Sequence, residues 1–397
     1  MIRDQRGFTL IEMLIVMGIF MVVILITSKS FEIVLNHAGQ QGKSAQSQIE
    51  GIVGLEMLRA DLEQAGFGLP WAFTEAPASS AYTEVNVGSN EPVEFPTSID
   101  SAMFFNNSPA SPPCAIQNGS TSFNLDSAGI GAQYLVIKST VIGLDPSAKK
   151  WTTKSYTDSA STQPTIWNQD DRDLGDNDRV ILIKTTFTDN IPKQQLMVKG
   201  GEYSTTFSKY SSMSTPHTQG DVFHIYGIDK PAASKLRMPF NRADYYIKRP
   251  ANIPLTCAPN TGILYKAVAS HADGSLSPEM PLLDCVADMQ VVYGLDTNAS
   301  GVINLHQTTP PEKGTYLDQA ESIRSQVKEI RLYILAQEGK RDRTYSFPSE
   351  TITVGEKLSE TTTLGRDFNL KDRIGDDYKN YRWKVYTIVV RPKNLIQ

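Results

Sequence analysis

From Met13 to Ile26 no polar side chain interrupts the chain, and from Phe8 to Ile26 only Thr9 and Glu12 do. A helix over these 19 residues is just long enough to span the hydrocarbon of a bilayer. Beyond it apolar residues keep helical spacing, first Phe31, Val34, Leu35 and Ala38, then Ile49, Ile52, Val53, Met57 and Ala60. Leu55, Leu58 and Leu62 form a second stripe on another side of the same helix. A helix apolar on two sides is covered on both, here by its own sheet and by a neighbouring subunit. Its stop signal is Ala65-Gly66, with Gly68 and Pro70 behind it, so a rod of about 85 Å starts at Phe8. Gly39, Gly42, Gly51 and Gly54 weaken that rod by about 1 kcal/mol each, which predicts melting or bending between Gly39 and Gly54.

The pattern then changes period. From Thr74 to Ala132 Ser, Pro, Asn and Gly dominate and predict long surface loops. Short β-rich runs follow at Tyr134–Ile137, Arg179–Ile183, Asp221–Tyr226 and Tyr245–Ile247. The clearest strands are the last, Val286–Asp296, Val327–Leu335 and Trp383–Arg391, and three such strands are enough to cover the helix. The predicted class is α+β: a long N-terminal helix, half transmembrane and half amphipathic, packed on an antiparallel β-sheet head with large loop insertions.

Glu12 is the anomaly in the apolar run. A carboxylate within a membrane span costs a few kcal/mol and is retained where it finds a partner, so it reads as functional. A secretory signal would show a shorter uncharged core and a small-residue cleavage site, for which Thr27-Ser28-Lys29-Ser30 offers only weak candidates. Arg3 and Arg6 before the span, with Lys29 as the one basic residue close behind it, favour a cytoplasmic N-terminus and a head outside the cytoplasm.

A charged leader ending in Gly7, then Phe8, then Glu12 as the fifth residue after the glycine, then an apolar helix, resembles a type IV prepilin. The resemblance implies that a prepilin peptidase cuts between Gly7 and Phe8 and methylates the new amine of Phe8. It also implies that Glu12 pairs with the terminal amine of a neighbouring subunit on entering a filament. Leu58–Gly68 and the last three strands are similar to minor pilins of the PilW kind and, more distantly, to the J pseudopilin of type II secretion. On this basis the chain divides into a leader at 1–7, a transmembrane and filament-core segment at 8–28, an amphipathic stalk at 29–66, a variable β-rich and loop-rich head at 67–283, and a C-terminal antiparallel sheet region at 284–397.

Of the 397 residues, about 330 lie beyond the stalk, enough for one large or two small domains. A net charge of -5 gives no reason to expect nucleic-acid binding by the head. The three cysteines, Cys114, Cys257 and Cys285, sit in a head that the orientation places in an oxidising compartment. One disulfide with one thiol left over is the simple arithmetic; all three pairings are open, and Cys257 with Cys285 closes a modest loop.

No Gly-x-Ser-x-Gly or His-Glu-x-x-His occurs, the five histidines are scattered, and Ser325-Gln326-Val327-Lys328 lacks companion motifs, so no enzyme and no cofactor is expected. Asp221 with His224 reads as a strand-edge pair, and the acidic run Asp170–Asp178 as a solvated turn. Asp296, Asn298 and Ser300, followed by Gly301, imitate a calcium loop, but Gln307 stands where the bidentate Glu belongs, and a β-hairpin turn explains the same residues. Lys340-Arg341-Asp342-Arg343 is a basic patch that a charged hairpin end also explains. The reading is a minor pilin in the inner membrane with a periplasmic head, later at the cell surface, that helps initiate a filament from its tip. The alternatives are a secretion pseudopilin and a tip adhesin. Its partners would be prepilin peptidase, other minor pilins, the major pilin and the inner-membrane assembly platform.

Overall fold

The computed structural model describes residues 10–78, 82–85, 111–156, 163–188, 191–230, 235–311, 316–359 and 362–395. One helix, α1, runs unbroken from Leu10 to Glu63, 54 residues. The melting expected between Gly39 and Gly54 does not occur. At two of these glycines the reason is packing: a Cβ on Gly51 would sit 2.7 Å from Leu283, and Gly54 is closer still to Leu282. The glycines let α1 lie directly on a strand, and the contact offsets the lost propensity. Gly66, at φ +82°, turns the chain out of the helix in the left-handed conformation common at helix ends, and its N–H bonds the Lys138 carbonyl at 3.0 Å.

The strands are β1 (Ala72–Phe73), β2 (Ile116–Ser120), β3 (Gln133–Ser139), β4 (Trp151–Ser155), β5 (Arg179–Thr188), β6 (Ile191–Leu196), β7 (Thr205–Thr206), β8 (Val222–Asp229), β9 (Asn241–Lys248), β10 (Gly262–Ala269), β11 (Leu276–Leu295), β12 (Leu305–Gln307), β13 (Val327–Glu338), β14 (Thr351–Lys357), β15 (Thr363–Asn369) and β16 (Arg382–Val390). An eight-stranded sheet has the order β16-β13-β11-β10-β9-β3-β2, with β12 added on β11. A six-stranded sheet has the order β1-β6-β5-β8-β4, with β7 on β5. The β14–β15 hairpin is separate, and every described strand pair is antiparallel except β1 with β6.

The expected division at 283/284 falls inside β11 and is corrected here. Strands β2, β3, β9 and β10, assigned by sequence to the variable head, share one sheet with β11, β13 and β16. Strand β11 explains why. Its first half pairs with β10, from Leu276 to Val286, and its second half with β13, from Val286 to Leu295. The exchange falls at Cys285, which takes φ +55° where the ladder shifts register. Cys285 is bonded to Cys257, Cα to Cα 4.9 Å, so a disulfide pins the point where the strand changes partner. The sequence pattern starts this strand at Val286; it begins at Leu276, so Cys285 lies within it.

As the periodicity predicts, α1 packs on β11, β16 and β13. Leu55, Leu58, Leu62 and Ala65 enter a core shared with Ile330, Leu332 and Ile334 of β13 and with Ile181 and Ile183 of the smaller sheet. The opposite face of β13 is also apolar: Tyr333 and Leu335 pack beneath Val354, Leu364 and Phe368 of the β14–β15 hairpin. Phe223 and Ile225 anchor a third cluster on the far side of the smaller sheet.

Candidate functional site

Every described side chain in the first half of α1, from Leu10 to Phe31, is exposed. Leu10–Phe31, 22 residues of mean hydropathy 2.8, has no buried residue and is long and apolar enough to cross a bilayer. Thr27 adapts to such surroundings by donating its hydroxyl to the Val23 carbonyl at 2.6 Å, which keeps its polar group satisfied within the helix. Glu12 lies in the first turn of α1, among exposed apolar side chains. Gly7 and Phe8 lie outside the described residues.

The second half carries two stripes with different fates. Leu55, Leu58 and Leu62 are buried against the head, whereas Ile52, Val53 and Met57 are 54%, 63% and 40% exposed. The helix is also held by charge. Asp61 accepts from the Tyr245 hydroxyl and pairs with Lys266 on the sheet beneath it. Burial and the Asp61 charge raise the Tyr245 hydroxyl well above its ordinary value, so it stays a donor. At the end of α1, Glu63 pairs with Lys393 at 2.9 Å and its carbonyl accepts from the Lys393 N–H. Helix and head are one unit, with an outward apolar stripe left on the helix.

Sequence reading missed a set of buried charges. The Lys138 ammonium lies 2.8 Å from Glu84, which also meets Arg242 at 2.9 Å, and Arg242 meets Asp244 at 2.7 Å. Glu84, Lys138 and Arg242 have fully buried side chains, and Asp244 almost so. Tyr82, packed edge-on against Tyr203 and Phe240, seats the 82–85 segment in this place. The signal was present but faint: Lys138 ends the apolar run Tyr134–Ile137, and Arg242 and Asp244 alternate into Tyr245–Ile247. A second buried pair, Arg366 to Asp288 at 2.7 and 2.8 Å, clamps the β14–β15 hairpin to β11.

The candidate calcium residues come together as a turn. Asp296 accepts from the Ser300 N–H at 3.0 Å and the Gly301 N–H at 2.7 Å, so both of its carboxylate oxygens are engaged. Burial pushes the Asp296 carboxyl up, and these backbone donors outweigh it and hold the group below the usual range. The flanking strands β11 and β12 pair as a hairpin, Leu295 opposite Leu305. Among the described residues no three His, Cys, Asp or Glu side chains gather as a metal site. Asp221 faces Lys184 at 2.7 Å, and burial lowers the His224 imidazole. In the basic patch, Arg341 pairs with Asp377, and Asp342 with Arg382 at 2.8 Å, so part of that charge is neutralised within the head. Cys114 is buried and outside the disulfide.

Comparison with known families gives two matches. Residues 2–28 match the prokaryotic N-terminal methylation motif, and residues 244–394 match the type IV pilus-assembly protein W. The second match begins within β9 and runs past β16, so it takes in the strands beneath α1. Among solved structures the chain is similar to a type IV-like pilin from Thermus thermophilus, with 14% identity, a TM-score of 0.23, 42% of this chain covered and 75% of that one. No curated protein matches. The chain thus carries a stretch that matches the methylation motif and a stretch that matches the pilus-assembly family, on an apolar N-terminal helix and an antiparallel-sheet head.

Proposed function

We propose that this chain is a minor type IV pilin of the PilW kind, cut between Gly7 and Phe8, N-methylated on Phe8, and employed in starting a filament. One observation carries the reading: the helix that starts within the methylation motif runs unbroken to Glu63, its first 22 described residues are exposed, and its end is paired through Asp61 and Glu63 with Lys266 and Lys393 of the stretch that matches the pilus-assembly family. A rod so built moves with its head from membrane to filament as one piece.

In this reading Arg3 and Arg6 hold the leader in the cytoplasm, where prepilin peptidase works, and the head lies in the periplasm. Glu12 supplies the carboxylate that meets the methylated amine of an adjoining subunit, a charge pair that lowers the cost of both groups in an apolar surrounding. The other minor pilins, the major pilin and the inner-membrane platform are the partners, and the broad head fits the filament tip, where it crowds no repeating neighbour.

The test uses the full chain in a piliated cell. Gly7→Val should remain at precursor mass by mass spectrometry. Glu12→Ala should be cleaved normally yet lower filament number, and gold-labelled heads should sit at filament ends. Normal cleavage of Gly7→Val, or filament numbers unchanged by Glu12→Ala, would overturn it.

A further inference from the structure

Two large sheets end in four outer strands, and three of those edges are blunted. β1 is two residues long. β4 is covered by the segment at Thr165, whose N–H bonds the Thr153 carbonyl and whose own carbonyl accepts from the Thr152 hydroxyl at 2.8 Å. β2 is five residues, Ile-Gln-Asn-Gly-Ser, and is tied through the Asn118 amide to the Thr308 carbonyl at 2.9 Å.

β16 is different. It pairs with β13 over nine consecutive residues, Arg382 to Val390, without a register shift. It contains no proline and no glycine. Among the described residues no main-chain hydrogen bond reaches its outer side. Charged side chains commonly guard such an edge against pairing, but here both are neutralised by their own chain: Arg382 by Asp342 and Lys384 by Glu338, each at 2.8 Å. Thr387 and Val389 remain exposed.

The geometry points to β16 as a pairing edge for a strand from a neighbouring pilin-type subunit. A row of main-chain donors and acceptors repeating every two residues, about 6.8 Å, is matched by another extended backbone and by little else. The location selects the neighbour. β16 packs against α1, and just past it Lys393 joins Glu63 at the helix end. The exposed stripe of Ile52, Val53 and Met57 lies on the same helix, so a second rod laid on it would set its own head beside this one. The inference rests on the pilin reading above, and its test separates the two.

Amide hydrogen exchange, read by mass spectrometry over peptides spanning 382–390, is compared between the detergent-solubilised full chain and the chain assembled with its pilin partners. Assembly should slow exchange in these peptides tenfold or more. The double variant Thr387→Lys, Val389→Lys should keep its melting temperature and leader cleavage and lose most co-purification with other prepilin-type subunits. A wild-type chain that assembles with unchanged exchange over 382–390 overturns the edge pairing and leaves the pilin reading standing. A chain that neither is cleaved nor assembles overturns both. Should the double variant fail to fold, the exchange measurement on the wild-type chain decides alone.

Discussion

A β-carbon built on Gly54 would stand 2.1 Å from the main-chain oxygen of Leu282. No side chain fits there while α1 rests on β11, because the obstacle is backbone and cannot swing aside. In an isolated helix Gly→Ala stabilises by about 1 kcal/mol. Here the sign should reverse: Gly54→Ala lifts the helix from the sheet and should destabilise the head by about 1 to 3 kcal/mol. Urea unfolding of the full chain in detergent checks it, and a midpoint that rises would show that the contact is not needed.

The ion cluster beneath Tyr82 gives a second outcome. Two cations, Lys138 and Arg242, are balanced in a fully buried site by Glu84 and Asp244. Glu84→Gln preserves shape and removes one negative charge, leaving the cations in excess where water cannot screen them. The expected cost is about 3 to 5 kcal/mol, read as a lower denaturation midpoint.

His271 sets a pH dependence. Burial pushes its imidazole down to about 4, and its ring bonds the Arg237 N–H and the Asn241 amide oxygen in the neutral form. The unfolded chain takes up a proton near 6.5 while the folded chain does not until about 4. Stability is therefore complete above pH 6.5 and is lost as pH falls toward 4, by about 3 kcal/mol from this group. Carboxylates titrate over part of the same range, so the comparison is with His271→Gln, whose loss between pH 7 and 4.5 should be shallower than that of the wild type.

The helix and the strands that touch it were legible because each repeats one period over many residues. The 3.6-residue stripes of α1 and the apolar runs that became β11, β13 and β16 all lie where local pattern and burial agree. What the sequence hid depends on other parts of the chain. Gly51 and Gly54 look like helix defects until Leu282 and Leu283 are placed against them, and β11 looks half its length because its first part, Leu276–Leu283, carries prolines and exposed polar residues. The polar β2 carries no strand signal of its own. The buried charges were concealed for the same reason: Glu84 lies 54 residues from Lys138, and nothing local marks either as buried.

The two stripes of α1 make the sharpest contrast available in this protein. Leu58 is fully buried, while Val53, little more than one turn away, is 63% exposed. Truncating Leu58 to alanine removes core contacts and leaves a cavity, so Leu58→Ala should cost about 2 to 5 kcal/mol in the unfolding of the head. Val53→Gln replaces an exposed apolar group with a polar one that favours helix, and its effect on head stability should stay within about 0.5 kcal/mol. Assembly should reverse the ranking. If the outward stripe is covered by a neighbouring rod, Val53→Gln buries an amide in an apolar contact and should cut incorporation into filaments sharply, although cleavage and folding are normal. Quantifying incorporated chain in sheared filaments, beside unfolding midpoints for both variants, measures the two effects on one protein. Full incorporation of Val53→Gln would mean that this stripe faces solvent in the filament as it does in the isolated chain.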